Sequence, residues 1–339
     1  MKILLTLMFL GSLVSSCNKE NSKKEEHTSM LCLNPAILQT NISEPLHAVF
    51  FLNGREGFVS GSKGGIYKTT DSAINWTLLN SGVDLPVRSL YFIDAQKGFA
   101  VGGQNSCTGT GCVPQGGFIL KTTDAGNTWV KVYTPTNRRE ITSVYFLDAK
   151  TGFCVGDDVI MKTVDGGENW SEYRIANQAL KMMKVKFSSN QNGLIACLND
   201  KVVKTIDQGV TWQIISTNLD RGYYDISEAN GSTYLSGQGK VTKSINGGTS
   251  WIDLPNSPAD IYAIHFIDSQ NGFAFGRGKY SGGDFGYSAG SIYCTSNGGA
   301  TWNGTAEIQE TELIQSVSFP TSKIGYAVSG TKLIRVFVK

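Results

Sequence analysis

Apolar residues in this chain come in short runs, not in helical stripes. Val144-Tyr145-Phe146-Leu147 gives way to Asp148, and Phe153-Cys154-Val155 follows after Thr151-Gly152. Such β-branched and aromatic runs, broken by Gly, Asn or Asp, read as strands joined by tight turns. No segment reads as a long amphipathic helix. The same pair of runs returns as S-L-Y-F-I-D…K-G-F-A-V-G from Ser89 to Gly102 and as A-I-H-F-I-D…N-G-F-A-F-G from Ala263 to Gly276. Weaker copies surround Gly57, Gly193 and Gly325, and a degenerate one keeps Ser232-Thr233-Tyr234-Leu235-Ser236-Gly237.

All six tryptophans close a second motif in these units. It reads Thr69-Thr70-Asp71-Ser72-Ala73-Ile74-Asn75-Trp76 in the first copy. The others carry Asp124 and Trp129, Asp165 and Trp170, Asp207 and Trp212, Asn246 and Trp251, and Asn297 and Trp302. Spacing between tryptophans is about 40 residues, and about 50 twice, which suits four strands per propeller blade. The expected fold is all-β, a seven-bladed β-propeller; six or eight blades follow if the degenerate copy or the terminal half is counted otherwise. The last unit, Ile314 to Lys339, has three strands, and Leu33 to Ile42 is the candidate fourth. Pairing them closes the ring and covers strand edges that would otherwise be open.

The Asp or Asn of each motif suits an Asx-type turn, and Gly126, Gly167, Gly209, Gly248 and Gly299 supply positive φ. Ala73 takes that place in the first copy, so its turn is expected to be strained or of another type. The indole is expected to pack under the hairpin with its N–H bonded. Each turn offers one carboxylate, or none in two copies, so no metal site is expected and no cofactor either.

The net charge of +2 makes no electrostatic case for nucleic acid. His27, His47 and His265 are scattered. The first residues read as a targeting signal: Lys2, the apolar run Ile3 to Val14, then Val14-Ser15-Ser16-Cys17. The last four resemble a bacterial lipobox, with residues 1–16 as signal peptide and Cys17 lipidated. An ordinary secretion signal with a chance cysteine is the alternative. Residues 17–30 form a polar tether ahead of one domain, 31–339. Asn18 favours the outer membrane, with attachment through the lipid anchor only. Cys107 and Cys112 make a possible disulfide in a Gly-rich insertion. Cys154, Cys197 and Cys294 read as buried small hydrophobes, and Cys32 as either.

Two insertions, Gly103–Gly117 and Arg277–Gly290, fall on the face opposite the tryptophan turns. The second carries Tyr280, Phe285 and Tyr287 beside Asp284. The same face should receive Arg88, Arg138, Arg139 and Arg221. The mouth-proximal position of the first strand varies among copies: His47, Arg88, Thr142, Met183, Tyr224, Tyr262 and Gln315. Retained symmetry marks structure and broken symmetry marks a ligand, so Arg88, Tyr224 and Tyr262 join the candidate binding face with Arg277. Drift predicts the same variation.

The motif S/T-x-D/N-x-G-x-T/S/N-W is the Asp-box, or BNR repeat. Together with F-x-D-x-x-x-G-F-x-V-G it resembles the photosystem II stability/assembly factor-like propellers, from about Leu31 to Lys339. The resemblance implies a seven-bladed, non-catalytic scaffold that binds an envelope protein; a monomer is expected. Asp-boxes also occur in sialidases, sortilin-type receptors and xyloglucan hydrolases, so glycan binding or glycoside hydrolysis is the alternative. A sialidase needs an arginine triad, and the eight arginines offer none. A carboxylate pair drawn from Asp157, Asp158, Asp200 and Asp284 would serve a glycosidase if one were protonated.

Overall fold

A computed structural model of the chain describes residues 34–108, 111–114, 116–136, 139–175, 179–277, 289–304, 308 and 311–338, excluding the side chains of 34, 105–108 and 111–114. Seven four-stranded antiparallel sheets follow one another as the blades of a propeller. Their inner strands are Leu46–Phe51, Val87–Phe92, Ile141–Phe146, Met182–Phe187, Tyr223–Ala229, Ile261–Phe266 and Ile314–Thr321. Each packs beside the next, and the seventh returns to the first. Blade seven is completed by Asn34–Leu38, which pairs antiparallel with Lys332–Phe337, Asn34 opposite Phe337 and Leu38 opposite Leu333. The ring closes as expected, with a shorter strand than Leu33 to Ile42.

Blades adhere through aromatic rings. At six of the seven seams an aromatic residue near the start of a second strand lies against a phenylalanine of the next inner strand. Phe58 stacks on Phe92 at 4.0 Å, Phe99 on Phe146 at 4.3 Å, Phe153 on Phe187 at 4.6 Å and Tyr234 on Phe266 at 3.5 Å. Phe273 on Phe319 and Tyr326 on Phe51 complete six seams. Within six of the blades a phenylalanine of the inner strand lies over the glycine of the second strand. A Cβ at Gly57, Gly98, Gly152, Gly193, Gly272 or Gly325 would lie within 2.6 Å of ring atoms. Glycine is needed there for close approach.

Inner strands are sheet edges facing the channel, and their free N–H groups need acceptors. Short polar side chains of the preceding blade supply them. Ser89 Oγ accepts from Val144 N, Ser143 Oγ from Val185 N, Ser227 Oγ from Phe266 N, Ser316 Oγ from Val49 N and Ser318 Oγ from Phe51 N. Asp225 does the same for Ile264 N at 3.0 Å.

The Asp-box turns are built alike. Asp71 Oδ1 accepts from the backbone N–H groups of Ile74 and Asn75, and Thr69 Oγ1 accepts from Ala73 N. Two consecutive residues take positive φ in every copy, not one. Ser72 and Ala73 lie at 64° and 67°, against Ala125 at 61° and Gly126 at 86°. Blade one therefore keeps the common turn and carries the strain at Ala73. Five of the indoles stand edge-on to phenylalanine, as Trp76 does on Phe51, while Trp251 packs with Leu194 and Leu235. No protein acceptor reaches the buried Nε1 of Trp76, Trp129, Trp170, Trp251 or Trp302 among the described residues. That corrects the expectation of a bonded N–H: edge-to-face packing, not a hydrogen bond, sets four of these rings, and aliphatic packing sets Trp251.

Cys154 and Cys197 are free and buried, as expected, and burial pushes the Cys197 thiol up to about 12. Cys294 is buried too but disulfide-bonded, which corrects its reading as a simple hydrophobe. The blade-two insertion holds a hairpin, Asn105–Thr108 with Gly111–Pro114, in which Cys107 and Cys112 are backbone partners. Their side chains, and with them the expected disulfide, lie outside the described residues. So do Cys17, the signal and tether, Arg138, Tyr280, Asp284, Phe285 and Tyr287.

Candidate functional site at the channel mouth

A bulge repeats at the start of every inner strand. In blade one Leu46 pairs with Gly61 and Ala48 with the adjacent Ser60, which leaves His47 as an extra residue. The same slip leaves Arg88, Thr142, Met183, Tyr224, Tyr262 and Gln315 unpaired. A bulge bends its strand and re-aims one side chain. All seven line a cavity of about 490 Å³ along the axis. The variable position in the sequence is therefore a ring of seven re-aimed residues at the channel mouth.

Their neighbours bind that ring together. Arg88 ion-pairs with Glu140 of blade three through Nε, and its Nη1 lies 3.3 Å from the imidazole of His47. Gln315 reaches the same imidazole and donates to the Leu46 carbonyl. Burial, with the Arg88 charge beside it, lowers His47 to about 4, so the ring is neutral at neutral pH. Thr142 donates to the Met182 carbonyl at 2.6 Å, tying blade three to blade four. Tyr224 and Tyr262 stack with centroids 4.4 Å apart and planes at 7°, a flat aromatic platform on blades five and six.

One layer deeper, three residues along each strand, the lining divides in two. Blades one to three present Phe50, Tyr91 and Tyr145, whose neighbouring rings lie 5.5–5.7 Å apart. Blade four presents Lys186 and blade six His265, which stacks on Phe319 at 4.4 Å. Burial pushes Lys186 below the usual lysine range, while Asp225 and Glu228 pull it back. Burial and the Lys186 charge lower His265 to about 4. Around the whole cavity Arg88, Lys181, Lys184 and Lys186 face two carboxylates, Glu140 and Asp225. Glu140 is taken by Arg88, and Asp225 has Lys184 at 3.8 Å. The field of such a mouth favours anionic groups, and its rings give apolar contact area.

Of the arginines expected on this face, Arg88 alone lines the cavity among the described residues. Arg139 pairs with Asp158 at 2.9 Å and Arg221 with Asp253 at 2.6 Å. Both staple neighbouring segments of backbone. Arg277 is exposed at the end of a blade-six strand, opposite Gly290. Asp157, Asp158 and Asp200 stay outside the cavity; Asp158 also accepts from Leu180 N, and Asp200 holds Lys201 and Ser216. Sequence reasoning missed Lys181, Lys184, Lys186 and Glu140. The signal was there: blade four reads M-M-K-V-K-F where blades two and three place serine and tyrosine, and no other copy puts a lysine at either position.

Among the described residues no group of three or more His, Cys, Asp or Glu side chains is placed to hold a metal. Residues 121–221 match the family model described as "Photosynthesis system II assembly factor YCF48". A search of curated proteins gave no match. The fold is shared with the structure "YCF48 bound to D1 peptide", at 14% identity and TM-score 0.68, covering 90% of this chain and 97% of that one. YCF48 from Cyanidioschyzon merolae is similar at 15% identity and TM-score 0.66, covering 89% and 98%. The GH74 enzyme of Niastella koreensis gives 15% identity and TM-score 0.65, covering 88% of this chain but 53% of that one. Fold, Asp-box turns and matched repeats together make this chain a BNR-repeat β-propeller that resembles the photosystem II assembly-factor family.

Proposed function

We propose that this chain is a non-catalytic propeller that binds a protein partner as an assembly or interaction scaffold, at the channel mouth ringed by the seven bulge residues. In this reading it is lipid-anchored through Cys17 in the bacterial cell envelope, at the outer membrane. The observation that carries it is the ring itself: one backbone device, repeated sevenfold, presents six kinds of side chain at seven positions to one cavity. The excess of cations and the Tyr224–Tyr262 platform suit an extended peptide segment with acidic and aromatic residues. The likeness to a propeller described as bound to a peptide supports the same reading.

The test is crosslinking and affinity capture from intact envelopes with Arg88→Ala/Tyr224→Ala/Tyr262→Ala beside wild type. A defined protein partner should be retained by wild type and lost from the triple variant. Equal capture by both would sink the mouth as the binding site. The likeness to GH74 enzymes supports a second reading, glycan binding or hydrolysis. It requires measurable binding or cleavage of a polysaccharide, and loss of either in Glu140→Gln or Asp225→Asn.

A further inference from the structure

The ring of stacked aromatics has one gap. At the seam between blades four and five, Leu194 and Glu228 stand where the other six seams place an aromatic residue and a phenylalanine. Opposite Glu228 lies Thr233, in place of the glycine that a phenylalanine demands. The two changes fit each other, since the Cβ that phenylalanine excludes is compatible with a carboxylate side chain. The missing rings leave a cavity of about 220 Å³ toward the Asp-box face, at the end of the molecule opposite the channel mouth. Leu194, Lys204, Thr205, Glu228, Asn246 and Gly247 line it.

Two polar groups in this cavity are incompletely partnered. Lys68, Lys121, Lys162 and Lys243 each hold their ammonium 5.0–5.9 Å from the centroid of a ring across the strand pair. Lys204 has the same cross-strand position, but its partner is Leu194. Its ammonium turns instead to Thr249 Oγ1 at 3.3 Å. The Thr233 hydroxyl bonds to the Glu228 carboxylate, but its buried Oε2 has no hydrogen-bond partner. A cationic ligand would meet Lys204, and an anionic one Glu228. A flat neutral ring with a polar hydrogen on its edge meets neither objection. Its face would supply Lys204 with a cation–π contact, and its donor would form a charge-assisted bond to Oε2. Size agrees as well, because a cavity of roughly 150 Å³ already takes up benzene.

We infer that the seam between blades four and five is a binding site for one aromatic ring bearing an N–H or O–H donor, an indole or a phenol. The ring comes either as a free small molecule or as a Trp or Tyr side chain of a bound protein.

Indole, phenol and a tryptophan-containing peptide, titrated into the full chain and followed by ligand-observed NMR, test this. Saturable binding at one site is expected. Leu194→Phe, which restores the chain's own ring, should abolish it. Glu228→Gln, which keeps the shape but removes the charge, should weaken it about tenfold. Tighter binding of the peptide than of indole would identify a partner's side chain as the source, and the reverse order a free ligand. Absence of saturable binding by all three probes overturns the inference, as does undiminished binding to folded Leu194→Phe. Should Leu194→Phe fail to fold, unchanged affinity in Glu228→Gln overturns it equally.

Discussion

A single extra residue per inner strand decides what faces the channel. The sequence marks these seven positions as variable, since the apolar frame around them repeats and they do not. It does not show the bulge, because a slip in register is a property of two paired strands. The histidine at one of these positions carries a pH signature. His47 faces Arg88 and Gln315; deeper in the channel His265 lies on Phe319 near Lys186. Both are lowered to about 4 by burial and a neighbouring cation. An unfolded histidine titrates near 6.5, so between roughly pH 4 and 6.5 the unfolded chain binds more protons. Stability is therefore complete above that window and lost as pH falls through it. Asp71 and Asp207, held down to about 2 by turn N–H groups and side-chain donors, add a loss further into acid. Glu228, raised to about 6 by burial, has the opposite sign and disfavours the fold as pH rises. Urea unfolding should show wild type about 1–3 kcal/mol less stable at pH 5 than at pH 7. His47→Gln/His265→Gln should lose most of that difference, and an equal drop in the double variant would show that other groups govern it.

Strands and turns were legible one by one, since alternation and Gly/Asn/Asp punctuation are local signals. The reason for glycine before each aromatic was not, because it depends on a ring from the adjacent strand. Gly98 has Phe92 over it, with 2.5 Å between ring carbons and the place a Cβ would take. Gly98→Ala should therefore destabilise the protein by about 1–3 kcal/mol through overpacking. Chemical denaturation measures this directly, and a neutral result would mean that the Phe58–Phe92 stack can shift without cost. The ion pairs of the arginines were hidden for a similar reason. Proximity to the mouth was readable from position in the repeat, but the pairing of Arg139 with Asp158 and of Arg221 with Asp253 follows from which turns lie side by side.

At the scale of the molecule, the ring holds because its last blade borrows a strand from the start of the domain. Asn34–Leu38 covers Lys332–Phe337, and Ile42, Ile37 and Leu38 pack with the core of the blade-seven and blade-one seams. A chain in which residues 34–42 are deleted exposes that edge and loses this burial. Burying Ile42 contributes about 1.5–3 kcal/mol, and Tm falls by about 2–4 °C per kcal/mol in domains of about 150–250 residues, less in longer ones. Calorimetry should show a lower Tm, and light scattering should show association through the opened edge. An unchanged melt in a monomeric deletion variant would show that three strands suffice for blade seven.

The sequence by itself determined the repeat, the all-β architecture, the blade count favoured by spacing, the closing strand and the turn chemistry. All of these rest on local pattern or on periodicity, which a linear chain displays openly. Only the tertiary structure decided which variable residues share a cavity, which arginines are held in ion pairs, and where the aromatic ring of the seams is interrupted. Those depend on contacts between residues dozens of positions apart, and Leu194 beside Glu228 has no meaning until blades four and five are set together.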